Sequence, residues 1–341
     1  MGLFLFEGHV IFALMWRNIM EKTKLLITDG LSPEGINILE QSGLFTITLH
    51  KSIEKDALKK ILPEYEVVII RSATKMTKEL IDCASSLKVI MRAGAGVDNV
   101  DVAHASTKKV LVFNCPGVNN NAVAELTLGF LFSLLREIPR ATNGMKQNLW
   151  EKKELVGGEA AGRTIGILGY GAIGNLVGKA CHALGMKVIA YDPRANELKN
   201  TNSPVHQWHS NIDEVFSAAN IVSIHMPLVD STKNSVGTTQ FSKMKKGSYL
   251  INCSRGGIVK EDELLLALDN GTLAGAALDV FSQEPTPANS PLVQHSKVIC
   301  SPHIGAATKE SQTKIGIAAA THLINYYKEN NTSTVVNQGA F

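Results

Sequence analysis

One segment constrains the fold more than any other, "TIGILGYGAIGNLVGKACHALGMKVIAYDP" at residues 164–193. An apolar run, "TIGIL", precedes three glycines with the spacing Gly169-x-Gly171-x-x-Gly174. A helix-compatible stretch, a second apolar run and the acidic Asp192 follow. Three glycines with this spacing occur by chance in many loops. The apolar runs on both sides distinguish this segment from such chance occurrences. The order predicts a strand, a tight turn, a helix and a second strand.

This unit is typical of dinucleotide binding. Gly169 would permit the tight turn, Gly171 would let the backbone approach a pyrophosphate, and Gly174 would let helix and strand pack closely. The pyrophosphate is expected on the amides at the start of the helix, around Ala172 and Ile173. The alternative is that the glycines serve packing alone.

The acidic residue after the second strand favours one cofactor. Asp192 can accept hydrogen bonds from the adenosine ribose hydroxyls and would repel the extra phosphate of NADP. We therefore predict NAD, although Arg194, two residues further on, acts against that choice.

Short apolar runs bounded by turn residues recur along the whole chain. They fall at residues 25–28, 46–49, 67–70, 89–91, 110–113, 164–168, 187–191, 221–226, 248–253, 275–281 and 297–300, with a long helical stretch at 121–139. Runs separated by helices and apolar on both faces indicate parallel sheets covered on both sides. Because 341 residues exceed the usual size of one core, we predict an α/β fold of two doubly wound domains with the active site in the cleft between them.

The position of the glycine segment suggests the domain limits. We predict an N-terminal extension at 1–20, a substrate-binding domain at 21–119 and 308–341, and a Rossmann NAD-binding domain at 120–307. The apolar segment 2–16 has the composition of a signal peptide, but no basic residue precedes it and no cleavage pattern follows it. It is also short for a bilayer, so we expect no membrane partner, with a membrane-associated segment as the alternative.

Charge and cysteine content argue against several classes of protein. The net charge is only +3, and lysines and arginines are spread along the chain, so we expect no nucleic-acid partner. Five cysteines lie far apart without metal-ligand spacing. We therefore predict free thiols in a reducing cytoplasm and no metal site.

Three polar residues each follow a predicted strand or its last turn: Arg255, Glu284 and His303. Ligands of open α/β sheets bind at the carboxyl ends of the strands. A guanidinium suits a substrate carboxylate, an imidazole can exchange a hydroxyl proton, and a carboxylate can fix the imidazole tautomer. Taken singly, the alternatives are a surface salt bridge, a loop carboxylate facing water and a polar strand end.

Six motifs together resemble the D-isomer-specific 2-hydroxyacid dehydrogenase family. They occur in the family's order from Lys24 to about Asn337: "RSATKMT" (71–77), "MRAGAGVDNVD" (91–101), "ILGYGAIG" (167–174), "NCSRGGIV" (252–259), "AALDVFSQEP" (276–285) and "SPHIGAAT" (301–308). The resemblance implies an NAD-dependent oxidoreductase acting on a small 2-hydroxy or 2-keto acid. It is greatest to members that oxidise D-3-phosphoglycerate to 3-phosphohydroxypyruvate in serine biosynthesis, which implies a phosphorylated substrate.

The resemblance also implies roles for individual residues. Arg255 would bind the substrate carboxylate, His303 would exchange the proton, and Glu284 would orient His303. Further cofactor contacts are implied for Ala95, Met226, Cys253, Ser254, Asp279, His303, Gly305 and Ala306. Substrate contacts are implied for Arg71, Ser72, Gly94, Ala95 and Gly96, with Arg71 the candidate for neutralising a phosphate. The helical stretch 121–139 is implied as a homodimer interface, with an intramolecular core helix as the alternative.

Two other functions stay open. Glyoxylate and hydroxypyruvate reductases and other D-2-hydroxyacid dehydrogenases, such as those acting on D-lactate, share the same catalytic set. Some relatives are NAD(H)-sensing corepressors that bind without turnover. The complete Arg/Glu/His set argues against the corepressor. The sequence ends with "TSTVVNQGAF", so we expect no serine-binding regulatory domain of the kind that several family members carry.

Overall fold

The computed structural model describes residues 22–199 and 203–340. The predicted extension at 1–20 lies outside these residues. The strands of the described chain are β1 (Thr23–Ile27), β2 (Phe45–Leu49), β3 (Val67–Ile70), β4 (Val89–Arg92), β5 (Leu111–Phe113), β6 (Thr164–Leu168), β7 (Lys187–Tyr191), β8 (Val205–Trp208), β9 (Ile221–Ile224), β10 (Ser248–Asn252), β11 (Leu273–Leu278) and β12 (Val298–Cys300).

The α-helices of the described chain are α1 (Pro33–Gln41), α2 (Lys55–Ile61), α3 (Lys78–Cys83), α4 (Val102–Thr107), α5 (Asn120–Arg136), α6 (Ile138–Lys146), α7 (Ala172–Ala183), α8 (Ala195–Leu198), α9 (Ile212–Ala218), α10 (Thr238–Phe241), α11 (Glu261–Asp269), α12 (Pro291–Gln294) and α13 (Lys309–Glu329). Short 3-10 helices lie at Leu62–Glu64 and Gln338–Ala340. Of the described helices, none has both the length and the apolarity needed to cross a membrane.

The chain divides into two compact units, one of residues 22–119 and 309–340 and one of residues 120–308. The first unit holds a parallel sheet of five strands in the order β2-β1-β3-β4-β5. All four residues of β3 are buried: Val67 and Ile69 face one apolar cluster, and Val68 and Ile70 face the other. Helices on both faces thus explain a strand without alternating polarity.

The C-terminal helix α13 belongs to this first unit, where it crosses α1. A Cβ atom on Gly35 would lie 2.5 Å from the carbonyl oxygen of Gly316. The two helices therefore meet backbone to backbone, and neither glycine has room for a side chain there.

The second unit holds a parallel sheet of seven strands in the order β12-β11-β10-β9-β6-β7-β8. The strand order reverses at β6, which pairs with β7 on one side and with β9 on the other. In open α/β sheets, ligands bind at the carboxyl ends beside such a switch point. The predicted α/β class with two parallel sheets is confirmed.

Two elements differ from the sequence prediction. Strand β8 was not predicted, because its residues "VHQW" mix polar and apolar side chains on the sheet edge. The predicted helix at 121–139 is in fact two helices, α5 and α6. Glu137 between them has a left-handed backbone (φ 48°), and Pro139 lies in the first turn of α6. A proline tolerated only at a helix start accounts for the break.

Candidate active site

The glycine turn after β6 has one open position and two crowded ones. Gly169 has φ +86°, and a Cβ atom there would lie 2.8 Å from the carbonyl oxygen of His225. A Cβ atom on Gly174 would lie 2.3 Å from the carbonyl oxygen of Gly169. At Gly171 it would meet no protein atom within 4 Å. Packing within the protein thus accounts for two of the glycines, and the third leaves space above the turn.

The start of α7 and the end of β7 complete this part of the site. No side chain caps α7, so the amides near Ala172 and Ile173 have no side-chain acceptor at the cap position. The buried carboxylate of Asp192 accepts from the backbone N–H groups of Tyr170 (2.9 Å) and Arg194 (2.9 Å). Asp192 Oδ1 also pairs with the Arg194 guanidinium (3.4 Å to Nε), so the second lone pair of Oδ2 is the one that can accept from a ribose hydroxyl. The open glycine, the helix start and the acidic group fit a dinucleotide.

Two residues implied as cofactor contacts lie in the apolar core of the second unit. Met226 and Cys253 are each 6% exposed and belong to the two buried clusters on the faces of the sheet. Burial raises the pKa of the Cys253 thiol to about 12, so it stays protonated at neutral pH. Both side chains thus lie in the apolar core just after the carboxyl ends of β9 and β10, and their contact with the cofactor stays a prediction.

Arg255 sits on a tight turn directly after β10. The side-chain amide of Asn252 donates to the Arg255 carbonyl (3.0 Å) and its oxygen accepts from the N–H (3.0 Å) and hydroxyl (2.7 Å) of Ser254. A Cβ atom on Gly256 would lie only 1.8 Å from the carbonyl oxygen of Phe281. The turn that carries Arg255 therefore packs directly on the segment that leads to Glu284.

Glu284 and His303 form a hydrogen-bonded pair, with 2.7 Å between Glu284 Oε2 and His303 Nδ1. Because an ionised carboxylate can only accept, the proton lies on Nδ1 and Nε2 is left to exchange a proton. The bond to Glu284 raises the pKa of His303, whereas burial and the charge of Arg255 lower it. Burial raises the pKa of Glu284, but hydrogen bonds from His303 and the Phe281 N–H outweigh burial and lower it.

Asp279, implied as a nicotinamide contact, has its carboxylate bonded to the turn that carries His303. Asp279 Oδ1 accepts from the Ile304 N–H (2.8 Å) and the Ser301 hydroxyl, and Oδ2 accepts from the Gly305 N–H (2.8 Å). The sequence did not indicate these bonds, which join residues more than twenty positions apart. Gly305 is buried and Ala306, next to it, is half-buried.

In the first unit, Arg71 and Ser72 lie on the loop after β3. Two side chains hold this loop: Asp29 accepts from the Arg71 N–H (2.7 Å), and Asn99 donates to the Arg71 carbonyl (2.6 Å). Thr74 on the same loop also donates its hydroxyl to Asp29 (2.7 Å). Arg71 is therefore presented by a fixed backbone at the carboxyl edge of the first sheet.

The loop Gly94–Ala95–Gly96 follows the neighbouring strand β4. The guanidinium of Arg92 occupies the space that a side chain on Gly94 would need, since Nη1 lies 1.4 Å from the Cβ position. Asn114 donates to the Ala95 carbonyl (2.6 Å). Arg92 is not among the residues predicted from the sequence. Its signal was an arginine at a strand end followed by small residues, in "MRAGAG".

The structure thus brings Arg255, Asp279, Glu284 and His303 together at the carboxyl ends of β10, β11 and β12 in the second unit. Arg71 and the segment 94–96 share the carboxyl edge of the sheet in the first unit.

Comparisons with known proteins agree with this geometry. Residues 128–305 match the family model for the D-isomer specific 2-hydroxyacid dehydrogenase, NAD binding domain. D-3-phosphoglycerate dehydrogenase of Rattus norvegicus is 42% identical over 317 residues, which are 93% of this chain and 59% of that protein. Hydroxypyruvate reductase of Thermotoga maritima is 39% identical over 300 residues, 87% of this chain and 96% of that protein.

Solved structures show the same fold. The NAD-bound 3-phosphoglycerate dehydrogenase of Entamoeba histolytica superposes with a TM-score of 0.79 at 26% identity, covering 93% of this chain and 99% of that one. The D-lactate dehydrogenase of Aquifex aeolicus, complexed with NAD and lactic acid, gives 0.80 at 26% identity, covering 92% and 98%.

The chain belongs to the D-isomer-specific 2-hydroxyacid dehydrogenase family. This confirms the resemblance inferred from the six motifs and NAD as the cofactor. The chain spans about three-fifths (59%) of the length of the phosphoglycerate dehydrogenase that it matches.

Proposed function

We propose that the chain is an NAD-dependent dehydrogenase that oxidises D-3-phosphoglycerate to 3-phosphohydroxypyruvate, a step of serine biosynthesis. The observation that carries this proposal is the 2.7 Å His303–Glu284 pair beside the Arg255 turn, at the carboxyl edge of the second sheet. The similarity to rat D-3-phosphoglycerate dehydrogenase supports the substrate. Residues 22–119 with 309–340 would bind the substrate, and residues 120–308 would bind NAD.

Each polar group at this edge, and Arg71 in the first unit, would have a distinct task in the reaction. Arg255 holds the substrate carboxylate, for which a planar guanidinium offers two parallel donors. His303 accepts the hydroxyl proton at Nε2, and Glu284 stabilises the resulting imidazolium through Nδ1. Bound NAD supplies the hydride acceptor. Arg71 neutralises the substrate phosphate.

The cofactor would be held by backbone and by one carboxylate. The open side of Gly171 and the amides of Ala172 and Ile173 receive the pyrophosphate, and Asp192 receives the ribose hydroxyls. We further propose a homodimer formed through the region of α5. The cytoplasmic location stays a prediction.

The substrate assignment is tested by initial rates with NADH and NADPH against phosphohydroxypyruvate, hydroxypyruvate, glyoxylate and pyruvate. We expect the highest kcat/KM with phosphohydroxypyruvate and NADH. Preference for an unphosphorylated keto acid would contradict the phosphoglycerate assignment. A hydroxypyruvate reductase is the second candidate, because the chain covers 96% of the Thermotoga maritima enzyme of that name.

The proton-transfer role is tested by His303→Ala. Turnover should fall about 10²–10⁴-fold, the usual contribution of such a group, while NADH binding stays close to that of the parent protein. His295→Ala is a matched control, since His295 also pairs with a carboxylate, that of Asp269, but lies outside the site. Near-normal kcat in His303→Ala would overturn the assignment.

A further inference from the structure

Two buried polar side chains end neighbouring strands of the second sheet. Asn252 is the last residue of β10 and is 2% exposed, and Asp279 follows β11 and is 1% exposed. The Asp279 N–H donates to the Asn252 carbonyl (3.0 Å). Burying an amide and a carboxylate side by side is costly unless both are fully hydrogen-bonded, so their partners indicate why they are there.

The partners of the Asn252 side chain all lie on the turn of Arg255. Its Nδ2 donates to the Arg255 carbonyl, and its Oδ1 accepts from the N–H and hydroxyl of Ser254. One side chain thus closes the turn from both ends and fixes where the Arg255 Cα lies.

Asp279 fixes the turn of His303 in a similar way. Its backbone carbonyl accepts from the His303 N–H (2.8 Å), and its carboxylate accepts from the N–H groups of Ile304 and Gly305 and from the hydroxyl of Ser301. His303 has φ 54°, a left-handed conformation that is uncommon for a residue other than glycine. These bonds on both sides of His303 hold it in that conformation.

We propose that Asn252 and Asp279 are positioning residues that together set the location of Arg255 relative to His303. This inference rests on the proposed function and deepens it: carboxylate binding and proton transfer are aligned by two adjacent strand ends. The negative charge of Asp279 also acts with Glu284 to raise the pKa of His303, against burial and the charge of Arg255.

The first test replaces single hydrogen-bonding atoms. Asn252→Asp keeps the acceptor for Ser254 but sets a carboxylate oxygen against the Arg255 carbonyl. We expect a higher KM for the keto acid with unchanged NADH affinity. Asp279→Asn sets an amide N–H against a backbone N–H, so kcat should fall and the His303 limb of the pH profile should move to lower pH. Misplacement of about 1 Å can cost about 10²-fold, and we expect losses of that order.

Two further variants keep the test decisive. Ser301→Ala removes only one bond to Asp279, so the protein should fold and show a smaller loss of kcat. Asn220→Ala is the control: its side chain accepts from the Thr164 N–H at the opposite end of the same sheet. It should lower the melting temperature without changing KM or the pH profile.

Crystal structures of Asn252→Asp and Asp279→Asn separate this proposal from the proposed function, since they need no turnover. The Cα atoms of Arg255 and His303 should move by more than about 0.5 Å relative to β9–β11, the tolerance of a functional constellation. Unmoved Cα atoms, or kinetic losses no greater than in Asn220→Ala, would overturn the positioning roles. If the turns are displaced in the variants but the parent protein reduces none of the keto acids, the positioning roles stand and only the proposed function is overturned.

Discussion

Replacing Gly256 with alanine should separate the turn of Arg255 from the segment that leads to Glu284. The new Cβ atom would lie 1.8 Å from the carbonyl oxygen of Phe281 and 2.1 Å from its carbonyl carbon. Non-bonded carbon contacts are optimal at about 3.5–4.0 Å, so the backbones must move apart by roughly 1.5 Å. Since both sides of the clash are backbone, no side-chain rotation can relieve it.

This displacement would reach Glu284 as well as Arg255, because the Phe281 N–H donates to Glu284 Oε1 (3.0 Å). Overpacking of this kind costs about 1–3 kcal/mol of the free energy of unfolding. A shift of an ångström or more between reacting groups costs about 10²-fold, so kcat/KM for the keto acid should fall by that order.

The assay combines thermal unfolding, NADH titration and initial rates on the same preparations. Gly339→Ala is the control, because a Cβ atom there meets no atom within 4 Å. It should behave like the parent protein in all three measurements. A folded Gly256→Ala variant with the parent kcat/KM would refute the reasoning that close packing of the Arg255 turn on the Phe281 segment is required for activity.

Three other predictions concern the cofactor, the proton and the phosphate. Gly171→Ala should leave thermal stability unchanged but weaken NADH binding in a fluorescence titration, whereas Gly174→Ala should lower stability, since its Cβ would lie 2.3 Å from a backbone carbonyl. An unchanged Kd in Gly171→Ala would contradict the cofactor placement. Glu284→Gln removes the main interaction that raises the pKa of His303, so the acid limb of kcat/KM for oxidation should move to lower pH. An unmoved limb would contradict the pairing. Arg71→Ala should raise KM for phosphohydroxypyruvate much more than for glyoxylate, and equal losses would argue against a phosphate contact.

The sheets could be predicted because most strands here carry apolar residues on both faces. The run "VVII" of β3 is an example, since every residue packs against a buried cluster. Strand β8 could not be predicted in this way, because the edge of the sheet leaves its central residues exposed. The break at Glu137 was missed because the apolar pattern continues across it. Pro139, which is tolerated only at a helix start, was the signal for the break.

For the site, the sequence indicated Arg255, Glu284 and His303, and the structure brings the last two into contact. These three residues could be found because each lies in a family motif and also follows a predicted strand. The bonds made by Asn252 and Asp279 could not, because they depend on which strands lie side by side and on the backbone conformation of each turn. A local sequence pattern contains neither the order of the strands in the sheet nor the backbone conformation of a turn.

The discontinuous first unit has a consequence for the order of folding. Val335 pairs with Phe113 beside β5, and Asn337 accepts from the Val112 N–H, 225 positions earlier. Closing so long a loop is slow, whereas residues 120–308 form a continuous unit. A chain cut after Thr308 should therefore keep a protease-resistant second unit while residues 22–119 are digested; equal digestion of both would contradict this. Residues 22–119 are synthesised before residues 120–308, yet they complete their fold only after residues 309–340 have followed.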